Sequence, residues 1–304
     1  MSPQKIRNLA ALCGFELAGV AAALPHEDAA RYGDWVARGL AGRMGYLTDH
    51  RAAIRCDPRR LLASAQSIVC VGKLYNGPEP YSTNFESHER AWISRYAWGD
   101  DYHDVLRAGL ERLAREIGPD HEWRICVDTA PLLERSYARQ AGLGWIGKNT
   151  CLINEPLGSW FFLGELLTSI EIAPETPPPD RCGTCTRCID ACPTAALTPY
   201  ELDATRCISY LTIELRAPIP EEFHAGMGRH VFGCDICQDV CPWNRRAPVT
   251  TEPAFAPREF APPFEKLAGI TREEFCAMFR DSPITRAKYD SFIRNVEIAK
   301  NNCK

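Results

Sequence analysis

The sequence predicts a mixed fold, α/β or α+β, over its first half, followed by a compact cysteine-rich module. Three observations predict it. Across residues 1–173, short β-branched apolar runs alternate with runs patterned as helices. The stretch Pro174-Glu175-Thr176-Pro177-Pro178-Pro179 then interrupts both patterns, because proline fits neither a helix interior nor a central strand. Eight of the 15 cysteines follow between Cys182 and Cys241. Three consecutive units are expected: 1–173, 174–246, and a proline-rich stretch 247–304 that wraps over the surface with short helices.

Each element has a local reason. Residues 3–13 read as an amphipathic helix, and Glu16 to Ala23 as a small apolar strand. Ser67 to Leu74 is β-branched and bounded by turn formers, which reads as a buried strand. Asp100 to Ile117 puts Val105, Leu106, Leu110, Leu113 and Ile117 on one helical face. Trp123 to Val127 reads as a strand, and Leu132 to Gly142 as a helix ended by its glycine. Thr150 to Ile153 and Trp160 to Leu167 read as two strands, with Leu157-Gly158-Ser159 suggesting a hairpin between them. Thr271–Phe279 and Ala287–Lys300 are expected as closing helices.

Composition narrows the classes. The chain has 304 residues, 45% apolar and 24% charged, with net charge −4, which is ordinary globular chemistry. Disordered and fibrous classes are excluded. No apolar run reaches the roughly 18 residues that span a bilayer. The N-terminus lacks the apolar core and cleavage site of a signal peptide, so a cytoplasmic location is expected. A reducing compartment disfavours structural disulfides, so the dense cysteines need a metal explanation.

Their spacing supplies it. Cys182-x2-Cys185-x2-Cys188-x3-Cys192-Pro193 is the bacterial ferredoxin run, in which three thiols wrap one 4Fe–4S cube and the fourth ligates a second. Cys234-x2-Cys237-x3-Cys241-Pro242 repeats its last three positions. The first position falls at Val231, which cannot bind iron, and Cys207 is the available replacement. One cube is therefore assigned to Cys182, Cys185, Cys188 and Cys241, the other to Cys192, Cys207, Cys234 and Cys237. Zinc, which favours isolated ligand pairs, fits this arrangement poorly. The other seven cysteines read as plain thiols that pack as small hydrophobes.

A two-cluster ferredoxin needs about 60 residues, so most of the chain serves another task. Three stretches look like site rather than core. Ser94 to His103 gathers charged and aromatic groups around Gly99, Val127 to Arg135 sets Asp128 at the end of an apolar strand, and Gly142 to Asn149 is glycine-rich. Each also has a plainer reading: Asp128 as a helix N-cap, the glycine loop as a tight turn, His103 as a structural histidine.

Together with the cysteine runs, these stretches resemble the epoxyqueuosine reductase family, over nearly the whole chain. The resemblance rests on Ser94 to His103, Asp128 to Asn149, and Cys207-Ile208-Ser209-Tyr210-Leu211 between the runs. It implies a cobalamin-binding α/β domain followed by a two-cluster ferredoxin-like domain, related to reductive dehalogenases. It implies Asp128 as proton donor and Arg55, ahead of Asp57-Pro58, as a corrinoid contact. Ser94, Tyr102, His103, Trp145, Lys148 and Asn149 complete the expected cofactor surroundings. Ser94 stands where some relatives place a cysteine near cobalt, so no thiol role transfers. The histidine-on-cobalt motif D-x-H-x-x-G begins at Asp101-Tyr102-His103 but meets Leu106 at its glycine, so a base-off corrinoid without a protein histidine on cobalt is implied.

The implied reaction is reduction of epoxyqueuosine to queuosine at the tRNA wobble position, through cob(I)alamin fed by the two clusters. A flavodoxin or ferredoxin is the expected reductant, and the chain is expected to be a monomer with no membrane partner. Because an alkoxide leaves poorly, a general acid is required, and apolar surroundings are expected to keep Asp128 protonated. Residues 31–60 carry seven arginines against three aspartates, and 280–304 six basic against three acidic groups. Together with Arg245 and Arg246 these are the candidate phosphate contacts, or simply solvated charged faces. Two rival readings remain: a dehalogenase-like cobalamin enzyme on a small molecule, against which the missing twin-arginine signal argues, and a ferredoxin-type electron carrier.

Overall fold

The computed structural model describes every residue except Pro119 and Lys304. The strands are β1 (Leu17–Ala22), β2 (Ser67–Leu74), β3 (Trp92–Ile93), β4 (Trp123–Cys126), β5 (Trp145–Ile146), β6 (Leu152–Ile153), β7 (Phe161–Thr168), β8 (Leu197–Thr198), β9 (Glu201–Leu202) and β10 (His230–Phe232). The main sheet runs β1-β2-β7-β4, and every pairing in it is antiparallel. The mixed class therefore resolves to its α+β side.

The sheet is central because both of its faces are apolar. Strand side chains alternate between faces. Val69 and Val71 of β2 face one way, into a core with Ile6 and Ala10 of the helix Pro3–Leu12 and Leu106, Leu110 and Leu113 of the helix Tyr102–Ile117. Ile68 and Cys70 face the other way, onto Tyr137 and Ala138 of the helix Glu134–Gln140. Burying each of these leucines contributes about 1.5–3 kcal/mol. The helix Tyr102–Ile117 is capped by Asp101, whose carboxylate accepts the His103 N–H at 3.0 Å. Gly19 of β1 is glycine by necessity: a β-carbon there would lie 1.9 Å from the Ala141 carbonyl oxygen. The proline stretch runs along this edge, where Glu175 N–H donates to the Val20 carbonyl at 2.9 Å.

Three expectations are corrected. β6 does not form a hairpin with β7. It pairs with β5, and only the bridge Asn154–Gly158 marks the expected turn, because both edges of β7 are already taken by β2 and β4. The C-terminal stretch does more than wrap the surface. Phe264, Phe275, Phe279, Phe292 and Val296 are buried in a core of their own, closed by the helices Arg272–Met278 and Tyr289–Asn302. The succession of three units is also crossed by residues 91–98. Ala91, Trp92, Ile93 and Trp98 pack in that C-terminal core, and β3 pairs in parallel with β10 beside the second cysteine run.

Candidate functional site

The cysteine module is held by short turns. The helices Arg187–Asp190 and Ile236–Asp239 carry Cys188 and Cys237, and the helix Ile208–Ile213 starts directly after Cys207. The eight thiols fall into two groups. Cys188 lies within electrostatic reach of Cys182 and Cys185, and Cys241 of Cys182 and Cys188. Cys207 is likewise within reach of Cys192, Cys234 of Cys207 and Cys192, and Cys237 of Cys234 and Cys207, while Cys151 lies beside both Cys237 and Cys241. Val231 is buried in the C-terminal core, away from ligand duty. The soft, all-thiol donor sets fit two iron–sulfur cubes.

A second region opens at the end of β4. Two adjoining recesses, of about 500 and 380 Å³, share Tyr46 and Asp128. Such volumes suit a ligand site. Asp128 follows the last buried residue of β4, Cys126, by way of Val127, and adopts φ 47°. Its side chain is 41% exposed at the mouth yet ringed by polar partners. His103 Nε2 lies 3.3 Å from its Oδ2, and Arg286 Nη1 donates to the same oxygen at 3.4 Å. His103 Nδ1 meets Asp101 at 2.6 Å, so the helix-capping carboxylate also orients the imidazole. Arg286 is fixed by Glu214 at 2.8 Å and by the Tyr46 hydroxyl at 3.2 Å. Tyr102 stacks flat on Phe162, with centroids 4.2 Å apart, and His103 stacks on Tyr102.

These contacts set the protonation states. Burial opposes the charge on His103, but the two aspartates outweigh it and raise the imidazole to about 9. Burial opposes the charge on Asp128 as well, but His103 and Arg286 outweigh it, and its carboxyl stays below the ordinary range. The expectation of a protonated Asp128 in apolar surroundings is thus corrected. At neutral pH the proton of the pair rests on His103, one hydrogen bond away.

The expected cofactor residues divide between the two regions. Arg55 is buried, donates to the Tyr46 carbonyl at 2.8 Å, and lines the smaller recess beside Asp128. Tyr102 and His103 line the larger one. Ser94 instead donates to Asp235, beside Cys234, and is buried there. Lys148 Nζ donates to the Gly183 and Cys185 carbonyls at 2.7 and 3.0 Å, Asn149 to the Cys237 carbonyl at 3.3 Å, and Trp145 packs with Cys182, Cys241 and Trp243. The glycine loop is therefore a partition. Trp145, Lys148 and Asn149 face the cysteines, while Ile146 and Thr150 line the recess.

Sequence reasoning missed Tyr46, Glu214 and Arg286. Arg286 was visible only as one charge in a basic tail. The arginine-rich stretch 31–60 is less available than its charge suggests, because Arg38, Arg51 and Arg59 are paired to Glu201, Asp49 and Asp57, and Arg55 is buried.

The recess fits a corrinoid. One wall is apolar, with Leu47, Leu132, Leu133 and Ile146, and its rim carries Tyr32, Trp35, Arg31 and Arg135. That mixture suits a flat macrocycle fringed with amides. Both nitrogens of His103 are engaged by aspartates.

Residues 55–129 match the family described as epoxyqueuosine reductase QueG, and residues 181–244 match the 4Fe-4S double cluster binding domain. The chain is 43% identical over 302 residues to the epoxyqueuosine reductase of Leadbetterella byssophila, covering 98% of each. It superposes on a crystal structure of epoxyqueuosine reductase with an epoxyqueuosine-modified tRNA-Tyr stem loop with TM-score 0.87 and 31% identity, over 99% of this chain and 81% of that one. A structure of the Bacillus subtilis enzyme, with its catalytic aspartate loop swung out of the active site, matches with TM-score 0.88 and 30% identity, over 99% and 81%. Among the described residues no helix is long and apolar enough to cross a membrane.

Proposed function

The chain belongs to the epoxyqueuosine reductase family, and on that premise we propose that it reduces epoxyqueuosine to queuosine in tRNA with cobalamin in the recess beside Asp128. The single observation that carries this reading is the Asp128–His103–Arg286 constellation at the mouth of a recess backed by the cysteine module. It is an oxidoreductase with an iron–sulfur module.

The balance of the reaction defines the protein's task. Two electrons and two protons convert an epoxide to an alkene and water. Cobalamin, when bound, supplies a strongly reducing cobalt centre for the two electrons. Arg55 and the apolar wall would hold the macrocycle, and Tyr102, stacked on Phe162, walls the adjoining recess against water. Asp128 receives the His103 proton as the epoxide oxygen departs and passes it on, and Arg286 steadies the carboxylate between the two transfers. The family resemblance implies the cube of Cys192, Cys207, Cys234 and Cys237 as the nearer donor, and Asn149 links its Cys237 to the loop whose other face lines the recess. A low-potential one-electron carrier of the flavodoxin or ferredoxin kind reduces the outer cube. The tRNA anticodon loop enters over the mouth, where Arg31, Arg135 and Lys288 stand.

The test is a reconstituted assay on an epoxyqueuosine-bearing stem loop. Asp128→Asn should keep both clusters and cobalamin binding, read from the visible spectrum, and lose turnover by ~10²–10⁴-fold. Wild-type turnover in that variant removes Asp128 from the role, and failure to retain any corrin band removes cobalamin.

A further inference from the structure

Behind Asp128 lies a second acidic feature that the reaction above does not use. Glu165 sits on β7, opposite Cys126 of β4 and Cys70 of β2, and is fully buried. Both of its oxygens are buried without a hydrogen-bond partner, and no cation pairs with it, among the described residues. A carboxylate cannot stay ionised in a dry interior without a partner, so Glu165 carries its proton. The polar group that faces it is the carboxyl of Glu134, the first residue of the helix Glu134–Gln140.

Glu134 in turn reaches the catalytic loop. Its Oε1 accepts the Asp128 N–H at 2.6 Å. Asp128 needs such a hold. Its φ of 47° is left-handed, and Thr129 N–H folds back on the Val127 carbonyl at 2.5 Å, which makes residue 128 the apex of a three-residue turn. A side chain with a β-carbon disfavours that conformation, which persists only where neighbours impose it.

We propose that Glu134 and Glu165 form a proton-sharing carboxyl pair that latches the Asp128 loop, with Glu134 as the positioning residue that grips the Asp128 amide and Glu165 as the buried acid that fixes Glu134. The latch deepens the function proposed above and rests on it only for its effect on turnover.

The pair also gives the loop a pH response. Burial, with the Asp128 carboxylate beside it, pushes Glu134 up to about 8. The groups facing the pair are Asp128, Tyr102, Cys70 and Cys126, with Arg135 as the cation that acts on Glu134. A glutamate ionises near 4.5 in the unfolded chain, so the fold holds an extra proton between 4.5 and about 8, and the stability linked to it is lost as pH rises through that window. Above it, ionised Glu134 faces the Asp128 carboxylate, and their repulsion loosens the loop.

The full chain with its clusters tests this without turnover. Infrared difference spectra across a titration through about 8 should show a protonated carboxyl band above the ordinary glutamate range, lost in Glu165→Gln. Hydrogen exchange should find the Asp128 amide protected in the wild type and in Glu134→Gln, whose amide oxygen still accepts, but exchanging ~10-fold faster in Glu134→Ala. Turnover in Glu134→Ala should fall about 100-fold, with stem-loop binding unchanged and with rescue by Glu134→Gln. An absent carboxyl band, or one unmoved by Glu165→Gln, overturns the pair. Equal Asp128 exchange in wild type and Glu134→Ala overturns the latch. If Glu134→Ala does not fold, the Glu165→Gln band and the wild-type amide protection decide. Failure of the Asp128 reading would look different: normal turnover in Asp128→Asn with band and protection intact.

Discussion

The cysteine module and the Asp128 pocket are neighbours built on opposite plans. In the module, most ligands sit two or three residues apart, and the chain needs only short turns to gather them. In the pocket, Tyr46 and Arg286 touch across 240 positions of sequence, and His103 and Asp128 across 25. The module's chemistry is written in local spacing because a cube with fixed corners dictates it. The pocket's chemistry is written in packing: the stacked Tyr102, the end of β4 and a C-terminal helix must all arrive before one proton has its place. The two regions also treat charge differently. The module gathers like groups that need a metal to coexist, whereas the pocket balances Asp101, Asp128 and Glu214 against His103 and Arg286 within the protein itself.

The most severe test of that contrast is Cys207→Ser, which removes the one ligand lying outside the two runs. Iron and sulfide per chain should fall by about half and turnover should vanish, while stem-loop binding persists. Unchanged iron would mean that local spacing was misread. Arg286→Gln should spare the clusters and lower turnover about 10-fold. It leaves Asp128 and Glu214 without their shared cation, so the Asp128 carboxyl rises toward its ordinary range and the acid limb of the pH–rate profile moves up. A profile identical to wild type would show that Arg286 does not govern that carboxylate. The smallest effect is expected at His103. Wild-type turnover should decline as pH rises through about 9, where the imidazole gives up its proton, and His103→Gln should flatten that alkaline limb at a cost of a few fold below it. The same sign applies to folding: the stability linked to His103 is full below 6.5 and lost as pH passes about 9, which urea unfolding at graded pH would read.

What the sequence made legible follows the same divide. The two cysteine runs of a double-cluster domain could be read from it, as could β2, whose eight residues are all buried. Asp128 stood out because a carboxylate after an apolar strand is conspicuous. The side of the fold on which a loop's residues face is a tertiary fact, so Trp145, Lys148 and Asn149 were placed with the cofactor although they brace the cysteines. The partner of β6 was misread because strand pairing depends on which edges are free. Glu134 was quoted only as part of a stretch, and Glu165 passed unremarked inside an apolar run. A lone acid in a buried strand is the signal that was available there.

Asp235 ties the two regions by a route with a consequence for how the molecule comes to exist. Lying between two cluster cysteines, it accepts from Trp92 Nε1 at 3.2 Å and from the Arg95 amide at 2.8 Å, across 143 and 140 positions. Contacts so distant in sequence are late and slow, because the chain must close a long loop before they form. Asp235, between Cys234 and Cys237, is framed only once residues 91–98 have docked. The cradle of the second run is thus finished by a part of the chain some 140 residues before it.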